Sequence, residues 1–140
     1  MDIINEKGNS VEDQEIRIMP KRTTIIEKRI RDILAKSYGK IFPSDVKRRT
    51  LLIGNMPYRF DIVSEDKTIV GEIKSVSITN EKAYRTTRAK RVLTDCYFLD
   101  KVEAKEKILI LTNKEFHDRF KSDFETVVKP IKIMYFDVEE

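Results

Sequence analysis

The chain has 140 residues, 40% hydrophobic and 37% charged, with 28 Lys and Arg against 24 Asp and Glu, a formal charge of +4 and a pI near 9.1. That size supports one domain around a single core. No stretch approaches the ~20 consecutive apolar residues that cross a bilayer, and one cysteine excludes an intramolecular disulfide framework. The first residues are acidic and polar rather than signal-like, so a soluble, cytoplasmic protein is expected.

Residues 1–22 read as a flexible N-terminal segment ahead of one domain over 23–140; within the segment, Glu15 to Met19 alternates in a way that admits an edge strand or a dimer contact. From Thr23 to Gly39 apolar residues at 26, 30, 33 and 34 form a helical stripe, with Thr at the start and Gly at the stop. On that helix Glu27 admits two orientations, toward a sheet edge or into an i,i+4 pair with Arg31 on a solvated face. After a linker through Pro43, Leu51-Leu52-Ile53 predicts a strand. Residues 58–64 and 68–76, rich in Val, Ile, Phe and Tyr around Ser64-Glu65-Asp66-Lys67, predict a β-hairpin. Asn80 can cap a second helix with the stripe Ala89, Val92, Leu93, Cys96 and Tyr97, and Lys107 to Thr112 is a strongly apolar strand. Phe116, Phe120 and Phe124 recur every four residues on a third helix, and Ile131, Ile133 and Tyr135 alternate on a last strand. The order is α-β-β-β-α-β-α-β, an α/β fold with a central mixed sheet flanked by helices.

The hairpin plants Asp61, Glu72 and Lys74 inside otherwise apolar runs. A charge withdrawn from water costs several kcal/mol unless it is paired or bound to a metal, so these residues point to function. Side chains alternate along a strand, which puts Glu72 and Lys74 on one face. Asp61 joins them only if paired positions sum to an odd number, as a two- or four-residue loop would arrange. Two adjacent carboxylates suit Mg²⁺ or Mn²⁺, and a lysine beside them can orient water or offset charge on a phosphate oxygen. The competing reading is a solvated cross-strand Glu-x-Lys pair.

With Arg59-Phe60-Asp61 on one strand and Glu72-Ile73-Lys74 on the next, in this element order, the chain resembles the PD-(D/E)XK nuclease superfamily, the restriction-endonuclease-like fold. The resemblance covers residues 23–138, and in size and spacing it is most similar to archaeal Holliday-junction resolvases. It implies a glutamate from the first helix, here Glu27, as a fourth catalytic residue beside Asp61, Glu72 and Lys74. It also implies the backbone carbonyl of Ile73 as a further metal ligand. Two departures stand out: Phe60 replaces the usual Pro, and Phe42-Pro43-Ser44-Asp45-Val46-Lys47-Arg48-Arg49 replaces the Gly- and Ser-rich loop of a resolvase, although Ser44 could still touch a phosphate.

The excess positive charge is clustered. Lys82, Arg85, Arg88, Lys90 and Arg91 crowd the start of the second helix, and Lys47, Arg48 and Arg49 precede the first strand. Such runs grip phosphates, so Arg48, Arg49, Lys82, Arg85, Arg88 and Arg91 are the candidate nucleic-acid contacts, against the alternative of a merely solvated helix face. Tyr84 could stack on a base or ribose, His117 reads as a surface residue, and Cys96 as a small buried hydrophobe. The expectation is a Mg²⁺- or Mn²⁺-dependent endonuclease acting on DNA as a homodimer. The alternative is a catalytically silent nucleic-acid-binding module or assembly subunit with the same fold.

Overall fold

The computed structural model of the protein describes residues 22–138. The expected flexible segment and the alternating stretch Glu15 to Met19 lie outside the described residues, Arg22 excepted, because Arg22 already opens the first helix. That helix, α1 (Arg22–Tyr38), ends where Gly39 takes φ +64° and both Gly39 and Lys40 donate to the Ala35 carbonyl, a left-handed stop that costs glycine nothing. Ile26, Ile30 and Leu34 of its stripe are buried, whereas Ile33, counted in the same stripe, stands half exposed.

The strands follow as β1 (Thr50–Ile53), β2 (Met56–Arg59), β3 (Ile62–Val63) and β4 (Ile69–Lys74). The predicted single strand over 58–64 is therefore two strands in two sheets. β2 pairs with β1 in a separate antiparallel ribbon, and only Ile62–Val63 pairs with β4. The order accordingly contains one more strand than expected, and the predicted strand over 68–76 stops at Lys74. Arg49 causes the break: the Phe60 N–H donates to the Arg49 carbonyl at 2.9 Å and the Arg49 Nη1 donates back to the Phe60 carbonyl at 2.8 Å, so Phe60 is withdrawn from the main sheet.

The main sheet runs β3-β4-β5-β6, with β5 at Glu106–Leu111 and β6 at Lys132–Tyr135; β3 and β4 are antiparallel, and the pairs β4–β5 and β5–β6 are parallel. Each parallel step crosses by a helix, as it must. The first, α2, enters as an α-turn at Glu81–Ala83 with Asn80 as its cap, widens to a π turn at Tyr84–Arg88 and continues as α-helix over Ala89–Lys101. The second, α3, is Lys114–Phe124. Val92, Cys96 and Leu99 of α2 and Phe116 and Phe120 of α3 pack on Val63, Val70, Leu109, Leu111 and Ile133 on one side of the sheet. On the other side, Ile26, Ile30 and Leu34 of α1 pack on Ile62, Ile69, Ile73, Ile108 and Ile110. The architecture is thus a mixed sheet between helical layers.

Alternation dictates that Val70, Glu72 and Lys74 face α2 while Ile69, Gly71 and Ile73 face α1. At Gly71 the backbone approach tolerates no side chain, since a Cβ would lie 2.5 Å from the Ile108 side chain and 2.7 Å from its carbonyl oxygen. Among the described residues no helix is long and apolar enough to cross a membrane.

Candidate active site

The register of the hairpin is set by its turn. Ser64 N–H donates to the Ile69 carbonyl, enclosing four residues, and the Ser64 hydroxyl accepts from the N–H groups of Thr68 and Ile69 at 3.1 and 3.0 Å while donating to Asp66 at 2.8 Å. Asp66 also takes the Thr68 hydroxyl at 2.7 Å and Lys40, and these bonds hold its carboxyl well below the usual range. The pairs are then Ile62 with Gly71 and Val63 with Val70, whose sum is odd. Continued by one residue, this register brings Asp61 opposite Glu72, the four-residue-loop case.

Asp61 no longer belongs to a strand, and its side chain takes over a ladder position. Its Oδ2 accepts the Ile73 N–H at 2.9 Å, in place of the Phe60 carbonyl that Arg49 has captured. The N–H and C=O of one strand residue leave on the same side, so the Ile73 carbonyl faces this vacated edge, whereas the Lys74 carbonyl faces β5 and accepts the Thr112 N–H at 3.2 Å. A second buried arginine completes the support: Arg31, 5% exposed, donates to the Asp61 carbonyl at 3.2 Å.

Glu72 is 4% exposed and hydrogen-bonds Asp61. Burial first, then the charge of Asp61 and the bond to it, push the Glu72 carboxyl far above its ordinary range. Glu27 approaches Asp61 from α1. Burial and the Asp61 charge raise its carboxyl, against the pull of Arg31, Arg49 and Arg59. Thr24, Glu27, Arg31, Ser44, Arg49, Arg59 and Asp61 line one cleft of about 470 Å³, so Glu27 sits in the cleft as well as near Arg31 in charge.

Two residues outside the sequence motif adjoin its members. The Lys74 ammonium pairs with Asp95 of α2 at 2.7 Å. Burial alone would lower that ammonium, but the bond to Asp95, with Glu72 and Asp61 beyond, outweighs burial and raises it. Tyr58 of β2 packs against Phe60, tilted at 4.8 Å, and stacks on Phe98 at 5.1 Å between ring centroids, and burial with the nearby Glu72 charge raises its hydroxyl. Cys96 lies buried beside this cluster, its thiol pushed up to about 12 by burial and by Asp95 and Glu72. Asp95 left a signal in the sequence, an acid flanked by the buried stripe Val92, Cys96 and Leu99; Arg31 left a similar one beside Ile30 and Leu34. Tyr58 could not be distinguished from any other core aromatic.

The basic residues divide. Arg49 does not stand in solvent with its neighbours, being 7% exposed and bound to the carbonyls of Ser44 and Phe60, although it lines the cleft. Arg48 is exposed and pairs with Asp45 at 2.7 Å and Glu65 at 3.5 Å. On α2, Lys82 and Arg91 are exposed, Arg85 pairs with Glu81, and Arg88 turns back to the Ser77 carbonyl at 2.8 Å. The π turn at Tyr84–Arg88 changes the helical phase along this basic run. Tyr84, considered for base stacking, is buried, hydrogen-bonds Asp123 and carries Arg119 over its ring at 4.3 Å. His117 lies partly buried at the surface, its side chain 13% exposed against Tyr135, with Nδ1 2.9 Å from Asp118.

Among the described residues no three acidic, histidine or cysteine side chains form a group able to hold a metal. The donors at the hairpin are two carboxylates and a backbone carbonyl on an open edge, which is the oxygen chemistry a hard divalent cation takes with water completing its shell. Comparison with family models, curated proteins and solved structures gives no match to this chain.

Proposed function

We propose that the chain is a divalent-cation-dependent endonuclease of the restriction-endonuclease-like type that hydrolyses DNA phosphodiesters. The observation that carries the reading is the contact between the Asp61 and Glu72 carboxylates, made by an odd hairpin register, with Lys74 two residues along the same face. Nothing in the packing of the sheet requires a buried Glu72 carboxylate to share one place with the partly buried Asp61, and a bound cation removes their repulsion.

Asp61, Glu72 and the Ile73 carbonyl would hold Mg²⁺ or Mn²⁺. The cation supplies charge neutralisation at the phosphate and a lowered pKa for water. The Lys74 ammonium donates to the attacking water or to a non-bridging phosphate oxygen, and Glu27 on the cleft side accepts a hydrogen bond from water. Water attacks phosphorus in line and gives up a proton to solvent. The bond from phosphorus to the leaving deoxyribose oxygen breaks with its electron pair, and that oxygen takes a proton from solvent. Arg59 at the cleft, with exposed Arg48, Lys82, Arg85 and Arg91, supplies the positive field for the DNA backbone. Two copies acting as a homodimer inside the cell would address both strands.

Labelled single-stranded, duplex, flap and four-way-junction DNA incubated with Mg²⁺ or Mn²⁺ test this. Cutting by wild type that vanishes with EDTA and in Glu72→Ala is expected. A folded wild type that binds these DNAs without cutting any would replace the reading by a silent nucleic-acid-binding module.

A further inference from the structure

We propose that Asp95 is a positioning residue for this reaction, holding the Lys74 ammonium away from the two carboxylates so that they remain available to a cation. The inference rests on the nuclease reading and adds a residue outside its motif.

Lysine carries its charge on a flexible four-carbon stem. Lys74 shares a strand face with Glu72, two residues away, and beyond Asp95 the carboxylates whose charge acts on it are Glu72 and Asp61. Left untied, the ammonium would settle on those carboxylates, neutralise them and occupy the place of a cation. It does not do so here: Nζ pairs with Asp95 at 2.7 Å, on the side of α2. The pair is only partly open, with side-chain exposures of 35% for Lys74 and 19% for Asp95.

Asp95 is itself well anchored. It lies among Val92, Cys96 and Leu99, all buried against the sheet, and about two turns earlier Arg88 ties α2 to the Ser77 carbonyl at 2.8 Å. Taking a carboxylate partly out of water offsets much of what an ion pair gains, so Asp95 placed against a motif lysine is better explained by the position it gives the ammonium.

The test uses full-length wild type, Asp95→Asn, Asp95→Glu, Lys74→Ala and the Asp95→Asn/Lys74→Ala double variant, with folding checked by circular dichroism. DNA cleavage and Mn²⁺ binding by electron paramagnetic resonance are both measured. Asp95→Asn is expected to lower kcat by about 10- to 100-fold with KM for DNA unchanged, the usual scale for a residue acting through a functional neighbour. It should also weaken Mn²⁺ binding several-fold, and Asp95→Glu should recover much of both. In the Lys74→Ala background, Asp95→Asn should change neither quantity further. If its full effect persists there, Asp95 acts through its own charge or through folding and the inference is overturned. Wild-type cutting that Asp95→Asn leaves unaltered overturns it while sparing the nuclease. If wild type cuts nothing, the nuclease reading fails, and unaltered Mn²⁺ binding by Asp95→Asn then removes this inference as well.

Discussion

Replacing Glu72 by Gln removes one of two touching carboxylates while keeping the shape, and it should stabilise the metal-free protein at neutral and alkaline pH. In the folded state the Glu72 carboxyl is raised from its ordinary 4.5 by burial and by Asp61. The folded state therefore holds more protons than the unfolded state above that value, and stability is lost as pH rises toward the folded value. One extra proton corresponds to at most about 1.4 kcal/mol per pH unit. Two full charges at about 4 Å with an effective dielectric of 20 repel by about 4 kcal/mol. Lys74 offsets part of this and Asp95 adds to it, so a net cost of about 2 kcal/mol is expected once both carboxylates are ionised. Urea unfolding in EDTA between pH 5 and pH 8.5 measures it. Wild type should lose about 2 kcal/mol across that range and Glu72→Gln should lose much less, with the curves crossing below neutrality. Adding Mg²⁺ at pH 8 should restore wild type alone, with proton release on binding. Equal pH slopes in the two proteins, or a Glu72→Gln protein less stable than wild type at pH 8.5 in EDTA, would refute the reasoning.

Arg49→Met should unfold about 2 kcal/mol more easily in urea, because it leaves the buried Phe60 carbonyl without its donor. Gly71→Val should cost about 3 kcal/mol or prevent folding, since its side chain meets the Ile108 backbone, and a near-normal melting temperature would contradict the packing described. The combined change Lys82→Ala, Arg85→Ala and Arg91→Ala should weaken DNA binding and reduce its salt slope by about 2 to 3, measured by fluorescence anisotropy, while leaving the melting temperature within a few degrees.

The α/β class is legible in the sequence, because a helical period at Ile26, Ile30 and Leu34 and at Phe116 and Phe120 marks helices, while the run Ile108 to Leu111 is too short for a buried helix and suits a buried strand. The sequence also singles out Asp61, Glu72 and Lys74, since a charge within a buried strand is conspicuous wherever the strand lies. Whether those residues meet is a matter of register, which the pattern leaves open and which the Ser64 hydroxyl and Asp66 decide by closing a four-residue turn. The break at Phe60 was hidden because the residue that makes it, Arg49, is eleven positions away and uses its own backbone together with its side chain. Arg31 on the Asp61 carbonyl, Tyr58 beside Glu72 and Asp95 on Lys74 come from three different elements. Local pattern reports which face of a helix or strand is apolar; which polar groups meet across layers is decided only when the layers pack, because hydrogen bonds and ion pairs act over a few ångströms and carry no period along the chain.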